Sequence, residues 1–202
     1  MALGDPYINL QELKAYTHID DSLADTQVTS VVNAISRNIE RHCGQVFNDA
    51  GSATPRIFRP MTASWVSVDP FNTLTGLVVK SDTGADDTYA TTLAATTYFE
   101  EPFDGIVDGQ LGHPYRDIRL HSGSFIINGR PSVQVTARWG WAAVPADVKQ
   151  AAYIQAARIL GRRESVHGVL GAGDFVVRVS NRLDPDVSEM LSAYRLDGWA
   201  VA

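Results

Sequence analysis

The spacing of apolar residues changes period twice along this chain of 202 residues, and that double change restricts the available folds more than any single motif does. Residues 1–47 read as helix. Asn9 and Glu12 stand three apart as a reciprocal capping pair that opens a short helix over Leu10–Tyr16. A second helix is expected from near Asp25. Val28, Val31, Val32, Ile35, Ile39 and Cys43 recur at intervals of three and four on one stripe, Arg37, Glu40 and Arg41 fall largely off it, and Gly44 stops it. Residues 56–141 switch to short runs rich in Val, Ile, Thr and aromatics, divided by Gly, Asp, Asn and Pro clusters. Eight such runs are read as strands: "RIFRP", "SWVSVD", "GLVVKS", "TYATTL", "TYFEEP", "DIRLHS", "SFIIN" and "SVQVTARW". In the last, alternation places Val133, Val135, Ala137 and Trp139 on one face.

From residue 142 the helical period returns. "VPADVKQAAYIQAARILGRRE" has Pro145 at an early helical position, Asp147 in the first turn, and Arg158, Arg162 and Arg163 at the end, where the helix dipole favours cations. Its repeating face is Val148, Ala151, Ala152, Gln155, Ala156, Ile159 and Leu160, small enough for another helix to approach closely. A glycine-rich loop, "SVHGVLGAGDF", and a possible strand, "VVRVS", follow. "LDPDVSEMLSAYR" then opens with Asp184 as N-cap and Pro185 at the first helical position, and carries Val187, Met190, Leu191 and Tyr194 on its apolar face. The expected fold is therefore α+β. Residues 1–47 and 142–180 make a small helical frame, 48–141 an inserted antiparallel β domain (sheet or barrel), and 181–202 a C-terminal helix and tail.

Composition narrows the function classes. With 45% hydrophobic and 20% charged residues the chain is ordinary globular protein with room for a sizeable core. A net charge of −6 is the wrong sign for a protein that wraps duplex DNA. The lone Cys43 excludes an intramolecular disulfide, fits a reducing compartment, and ends an apolar helical face as a small buried hydrophobe. "MALGDPYINL" lacks the charged-then-apolar pattern of a leader, and no apolar run reaches bilayer length, so no membrane partner is expected.

The sharpest catalytic signature is Asp82-Thr83-Gly84, followed by Ala85-Asp86-Asp87-Thr88, which spells the active-site motif of retroviral aspartic proteases. That chemistry needs two carboxylates sharing a proton, here across a homodimer. In an extended strand Lys80 lies on the same side as Asp82, and a cation there favours the ionised carboxylate. Asn128 interrupts the downstream "FIINGRP". An exposed hairpin loop is the expected role, and on that reading Asp82→Asn changes little. The other candidates are weaker. Gly168, Gly171 and Gly173 do not make a phosphate-binding loop. His18, His42, His113, His121 and His167 have no metal-ligand spacing. Glu100 and Glu101 point to opposite faces of a strand. No catalytic, cofactor or metal residue is assigned, and Arg158, Arg162 and Arg163, with Ala152 and Ala156, are expected at helix ends or at contacts between subunits.

Several segments in order resemble a known family. "YINLQELKAYTHIDDS" and "IERHCGQVF" are similar to the opening of the head–tail connector (adaptor, head-completion) proteins of tailed phages. The Asp/Gly-rich turn before "TYATTL" and the later "GHPYRDIRL" resemble the long variants of that family. "VTARWGWAAVPADVKQAAYIQAARILGRRES" is the most specific stretch, and "RLDPDVSEMLSAYR" resembles the C-terminal helix. The resemblance runs over most of residues 7–195. It implies a structural, non-enzymatic ring, commonly of twelve copies, made in the bacterial cytoplasm and seated in the virion neck beneath the portal. Such a ring extends the DNA channel, helps to retain the packaged genome, receives a stopper or other tail-side protein, and lets double-stranded DNA pass without specific binding. It further implies portal docking through Asp184, Pro185, Val187, Met190, Leu191, Tyr194 and Arg195. The alternatives are another neck or tail position, such as a stopper or tail terminator, and, remotely, the dimeric protease.

Overall fold

The structure, a computed structural model, describes residues 4–18, 25–164, 169–170, 177–178 and 183–196. The fold is α+β. These residues fall into two compact units, a helical one made of residues up to Phe47 and from Val144 onward, and a β unit, Asn48–Ala143.

Four helices build the first unit: α1 Leu10–Thr17, α2 Asp25–Cys43, α3 Ala146–Glu164 and α4 Pro185–Ser192. α1 opens on the Asn9–Glu12 capping box and closes at His18, whose left-handed backbone (φ 55°) returns its N–H to the Lys14 carbonyl. The apolar stripe of α2 is buried at Val28, Val32, Ile35, Ile39 and Cys43, with Val31 half-buried. Burial pushes the Cys43 thiol up to about 12, so it behaves as a small hydrophobe. Ser36 shares the stripe because it has two partners. Its Oγ accepts from the Tyr7 N–H (3.0 Å) and donates to the Val32 carbonyl (3.1 Å). Tyr7 is thereby held over α2, where its hydroxyl donates to Glu40 (2.7 Å) and accepts from the Phe47 N–H (3.1 Å), and its ring meets Phe47 edge-on. Burial raises its pKa well above the ordinary tyrosine value. In α3, Val148, Ala151, Ala152 and Ala156 are wholly buried, and the helix packs on α1, α2 and α4. Pro145 precedes α3, and its carbonyl accepts the first helical bond from the Lys149 N–H. The glycine-rich stretch and the "VVRVS" segment each contribute one side of a two-residue antiparallel ladder, β8 Val169–Leu170 with β9 Val177–Arg178.

The β unit contains two antiparallel sheets. One has strand order β1 (Ala53–Phe58), β7 (Val133–Arg138), β3 (Val78–Ser81), β4 (Thr91–Thr92); the other has order β2 (Trp65–Phe71), β6 (Tyr115–Leu120), β5 (Tyr98–Glu101). Val133, Val135, Ala137 and Trp139 are buried together, as the alternation predicts. With Val79 they meet Val66, Phe71, Tyr98 and Ile118 of the other sheet in one core. The expected strand "SFIIN" is not one. Phe125 does enter the core, and its N–H reaches the Ala63 carbonyl, but no ladder continues from it and Ile127 is exposed. The apolar letters here give burial at one residue only, and no strand.

The entry and exit of the β unit are fastened by Asp49. Its carboxylate accepts Arg138 through two guanidinium nitrogens, the Gly51 N–H (3.0 Å) and Asn72 Nδ2 (3.1 Å), and the Arg138 bond chiefly holds its pKa down at about 2. The Ala50 N–H also donates to Trp139 O (2.9 Å), and the Gly140 N–H to Pro70 O (2.6 Å).

Candidate functional site

α4 was singled out in the sequence by its cap and its apolar face. Asp184 accepts the Asp186 N–H (2.9 Å) as N-cap, Pro185 takes the first helical position, and the Ser188 N–H reaches Asp184 O (2.8 Å). Asp184 is itself buried. Its backbone N–H donates to Gln155 Oε1 of α3 (3.1 Å), and its carboxylate forms an ion pair with Arg158 of the same chain. Val187 and Leu191 are wholly buried within the helical unit, and Met190 is half-buried. Tyr194 lies edge-on to Phe47 (5.8 Å) and donates its hydroxyl to Asp147 (3.1 Å), while its carbonyl accepts from the Gln45 side chain. Burial, then the Asp147 charge, pushes the Tyr194 phenol up to about 12. The Leu196 N–H finally closes on Cys43 O (2.8 Å).

Of the residues expected to dock, then, Asp184, Val187, Leu191 and Tyr194 are engaged with their own chain, while Pro185 and Arg195 are exposed. The residues expected between subunits are likewise placed. Ala152 and Ala156 are buried inside the helical unit, and Arg158 pairs with Asp184. Arg162 and Arg163 lie in the last turn of α3. Sequence reasoning did not find Gln155, Gln45 or Asp147 as fasteners of α4. Gln155 had a readable signal, because a polar residue on an otherwise apolar stripe requires a buried partner.

The hairpin reading of Asp82-Thr83-Gly84 holds, since β3 and β4 pair antiparallel around residues 82–90. The expectation of an exposed carboxylate does not. Asp82 is only 3% exposed, and its two oxygens accept the N–H groups of Asp86 (3.2 Å) and Asp87 (2.9 Å). Its own N–H bonds Ser132 O (2.9 Å). The loop needs this anchor because Ala85, Asp87 and Tyr89 all adopt positive φ (55°, 65° and 45°), which is unfavourable for residues with a Cβ. Tyr89 then bonds Pro131 O and Arg130 pairs with Asp87, tying the loop to residues 130–131. A carboxylate turned inward on its own loop is not available to share a proton with a second copy. Asp82→Asn is accordingly expected to destabilise the fold by about 1–3 kcal/mol, because an NH2 donor replaces one of the two carboxylate oxygens that separately accept the Asp86 and Asp87 N–H groups. Thermal denaturation checks this, and an unchanged midpoint would return Asp82 to the role of a solvated turn residue.

Other sequence candidates dissolve in the same way. Glu101 pairs with Arg119 (2.6 Å), and burial raises the pKa of Glu100. His113 packs on Trp141 and His121 on Phe99. Gly168, Gly171, Gly173 and His167 lie outside the described residues, as does the tail with Trp199. Among the described residues, no cluster of three or more His, Cys, Asp or Glu could hold a metal, and no helix is long and apolar enough to cross a membrane.

No protein-family model matches the sequence. No curated protein matches it either. Solved structures do. A chain in the neck of the empty gene transfer agent (GTA) particle, computed with C6 symmetry, superposes with a TM-score of 0.52 at 16% identity, over 97% of this chain and 91% of that one. Chains in the virion of the native GTA particle (TM-score 0.48, 19% identity, 97% of this chain and 91% of that one) and in its neck computed with C12 symmetry (0.47, 17%, 98% and 95%) are also similar. At such identities the likeness to the C6 neck chain is one of fold, and it extends over nearly the whole length of both chains.

Proposed function

We propose that this chain is a structural subunit of the neck of a phage-like particle, a head–tail adaptor that assembles as a ring beneath the portal and carries the DNA channel toward the tail. The observation that carries the reading is the fold shared with a neck chain over 97% of the sequence. The ordered run of connector-like segments, from "YINLQELKAYTHIDDS" to "RLDPDVSEMLSAYR", supports the finer assignment to an adaptor. The net charge of −6 suits a passage wall that does not grip a polyanion. On this reading the ring, of twelve copies, binds the portal on one side and a stopper or other tail-side protein on the other, and helps retain the packaged DNA.

Portal docking belongs to α4 and the residues after it, and the geometry defines what docking demands. Val187 and Leu191 are already buried, so they can serve as anchors only after α4 leaves α3. What holds α4 down is two apolar side chains, the Arg158–Asp184 pair, the Gln155–Asp184 bond and the Tyr194 contacts. A fastening of that size is within reach of local opening, with its cost returned on binding. Arg158→Ala weakens the fastening without touching the apolar anchors. The expected result is a lower melting temperature together with several-fold tighter binding to isolated portal, because less free energy is spent on release. Unchanged or weaker binding would mean that α4 docks from its outer side without leaving α3. Failure of the unaltered chain to bind portal at all would remove the adaptor reading.

A further inference from the structure

Between β5 and β6 the chain makes an excursion from Pro102 to Pro114 that displays the two most exposed large apolar side chains of the described residues, Leu111 and Phe103. Leu111 is 76% exposed and Phe103 63%, with Ile106 at 45%. This finger is preformed. Its base is closed by Gly105 N–H to Pro102 O (3.1 Å) and His113 N–H to Gly105 O (3.0 Å). Val107 and Gln110 bond each other in both directions across a turn at Asp108-Gly109, both at positive φ (50° and 78°). Gly105, at φ 66°, is packed so that a Cβ would lie 2.7 Å from His113 O, which fixes the base further. The Phe103 ring stacks flat on Phe99 (5.3 Å, 9°), so its orientation is set while its outer face stays open. A rigid apolar knob costs little entropy on binding.

Charge indicates what the knob meets. From Pro102 to Gly112 the finger carries Asp104 and Asp108 and no cation. Phe103, Asp104 and Ile106 border an open recess of about 580 Å³ together with Glu101, Asp117 and Arg116. Glu101 is paired with Arg119, which leaves Asp104 and Asp117, the latter accepting from Trp65 Nε1 (2.9 Å), against the single cation Arg116 at the rim itself. The outward arc of α3 offers a cation beside an apolar strip. Lys149 is exposed at one border, and Ile154, Ala157 and Tyr153, the last stacked on Tyr16, lie half-buried along it; Arg158 at the other border is taken up by Asp184, and Asp147 by the Tyr194 hydroxyl. A ring is built from contacts in which one surface of a subunit meets a different surface of the next.

We propose that the Pro102–Pro114 finger is one half of the contact between subunits, with Phe103, Ile106 and Leu111 seated on the outward arc of α3 of a second copy and Asp104 facing Lys149. The proposal rests on the ring reading above and names the surfaces that form the ring. The test is sedimentation velocity of the purified full chain at rising concentration, with and without portal. The unaltered chain is expected to self-associate. Phe103→Ser with Leu111→Ser is expected to weaken association by about tenfold or more while circular dichroism stays unchanged, since both side chains are exposed. Asp104→Lys alone is expected to weaken it, and Asp104→Lys combined with Lys149→Glu to restore it. A chain that stays monomeric under every condition, association indifferent to the finger, or failure of the paired charge reversal to restore it overturns the proposal. Portal binding is read in the same samples. Finger-dependent self-association without portal binding rejects the neck assignment alone. Portal binding with finger-independent association rejects this contact alone.

Discussion

Gly140→Ala is expected to destabilise the β unit by about 3–5 kcal/mol, at the upper end of what single substitutions do. Gly140 sits at φ 95° between two buried tryptophans, Trp139 and Trp141, and its N–H is bonded to Pro70 O. The conformation alone costs an L-residue about 1–2 kcal/mol. The larger cost is steric. A Cβ at this position would stand 1.8 Å from Asn48 O and 2.9 Å from Asn48 C, and both are backbone atoms with no rotamer to yield. Relief requires moving Asn48, and with it the neighbouring Asp49 that bonds Arg138, Gly51 and Asn72. Gly51→Ala separates the two costs, because Gly51 has φ 74° and nothing within 4 Å of its added Cβ. It should lose only about 1 kcal/mol. Denaturant unfolding followed by tryptophan fluorescence gives both values. Equal losses in the two variants would mean that the corner at Gly140 is not closed as described. The result also bears on assembly, because "RWGW" lies in the stretch most like the connector proteins and a lost corner would remove the exit of β7.

The sequence was informative where one local rule acts alone. The Asn9–Glu12 box, the Asp184–Pro185 start, the buried stripe of α2 and the alternation of Val133, Val135, Ala137 and Trp139 all depend on spacing along a single element, and all recur in the structure. It misled where the outcome depends on a partner distant in the chain. "SFIIN" has the letters of a strand, yet only Phe125 is buried, its N–H bonded to Ala63 O, with no ladder. Asp82 is a turn former by type, yet it is buried because three residues of its loop adopt positive φ and need an internal acceptor. The alanines of α3 were correctly read as a surface for close helix approach, and periodicity cannot say whose helix approaches. Here the approach is made within the same helical unit, with Gln155 and Arg158 taking up Asp184 some thirty positions away in sequence. The finger was passed over because "DGIVDGQLG" has no period at all. Its exposure follows from where β5 and β6 end, which no local pattern encodes.

Leu191→Asp sharpens the question of what α4 is for. If Leu191 were only a docking anchor, the substitution would weaken portal binding by placing a charge in an apolar pocket. In the structure Leu191 is wholly buried beside Val187. A carboxylate there must either be taken out of water without a partner or drive the helix away, and leaving is cheaper than burial. The expected outcome is a loss of about 3–5 kcal/mol from the helical unit. Hydrogen exchange should show it most directly, as lost protection of the Ser188 N–H, bonded to Asp184 O, and the Leu196 N–H, bonded to Cys43 O. Release would also uncover the ring of Tyr194 and return its phenol, now pushed up to about 12, toward its ordinary value. Glu189→Lys, on the exposed side of the same helix, should leave all of these unchanged. Protection that survives in Leu191→Asp would mean that α4 is not fastened through this side chain. Loss of protection together with loss of portal binding has a definite meaning under the release mechanism: the substitution opens the helix and at the same time removes the anchor that the opened helix would present. Arg158→Ala opens it and keeps the anchor. Opposite effects of these two variants on portal affinity, with the same direction of effect on stability, are what a stowed docking helix requires.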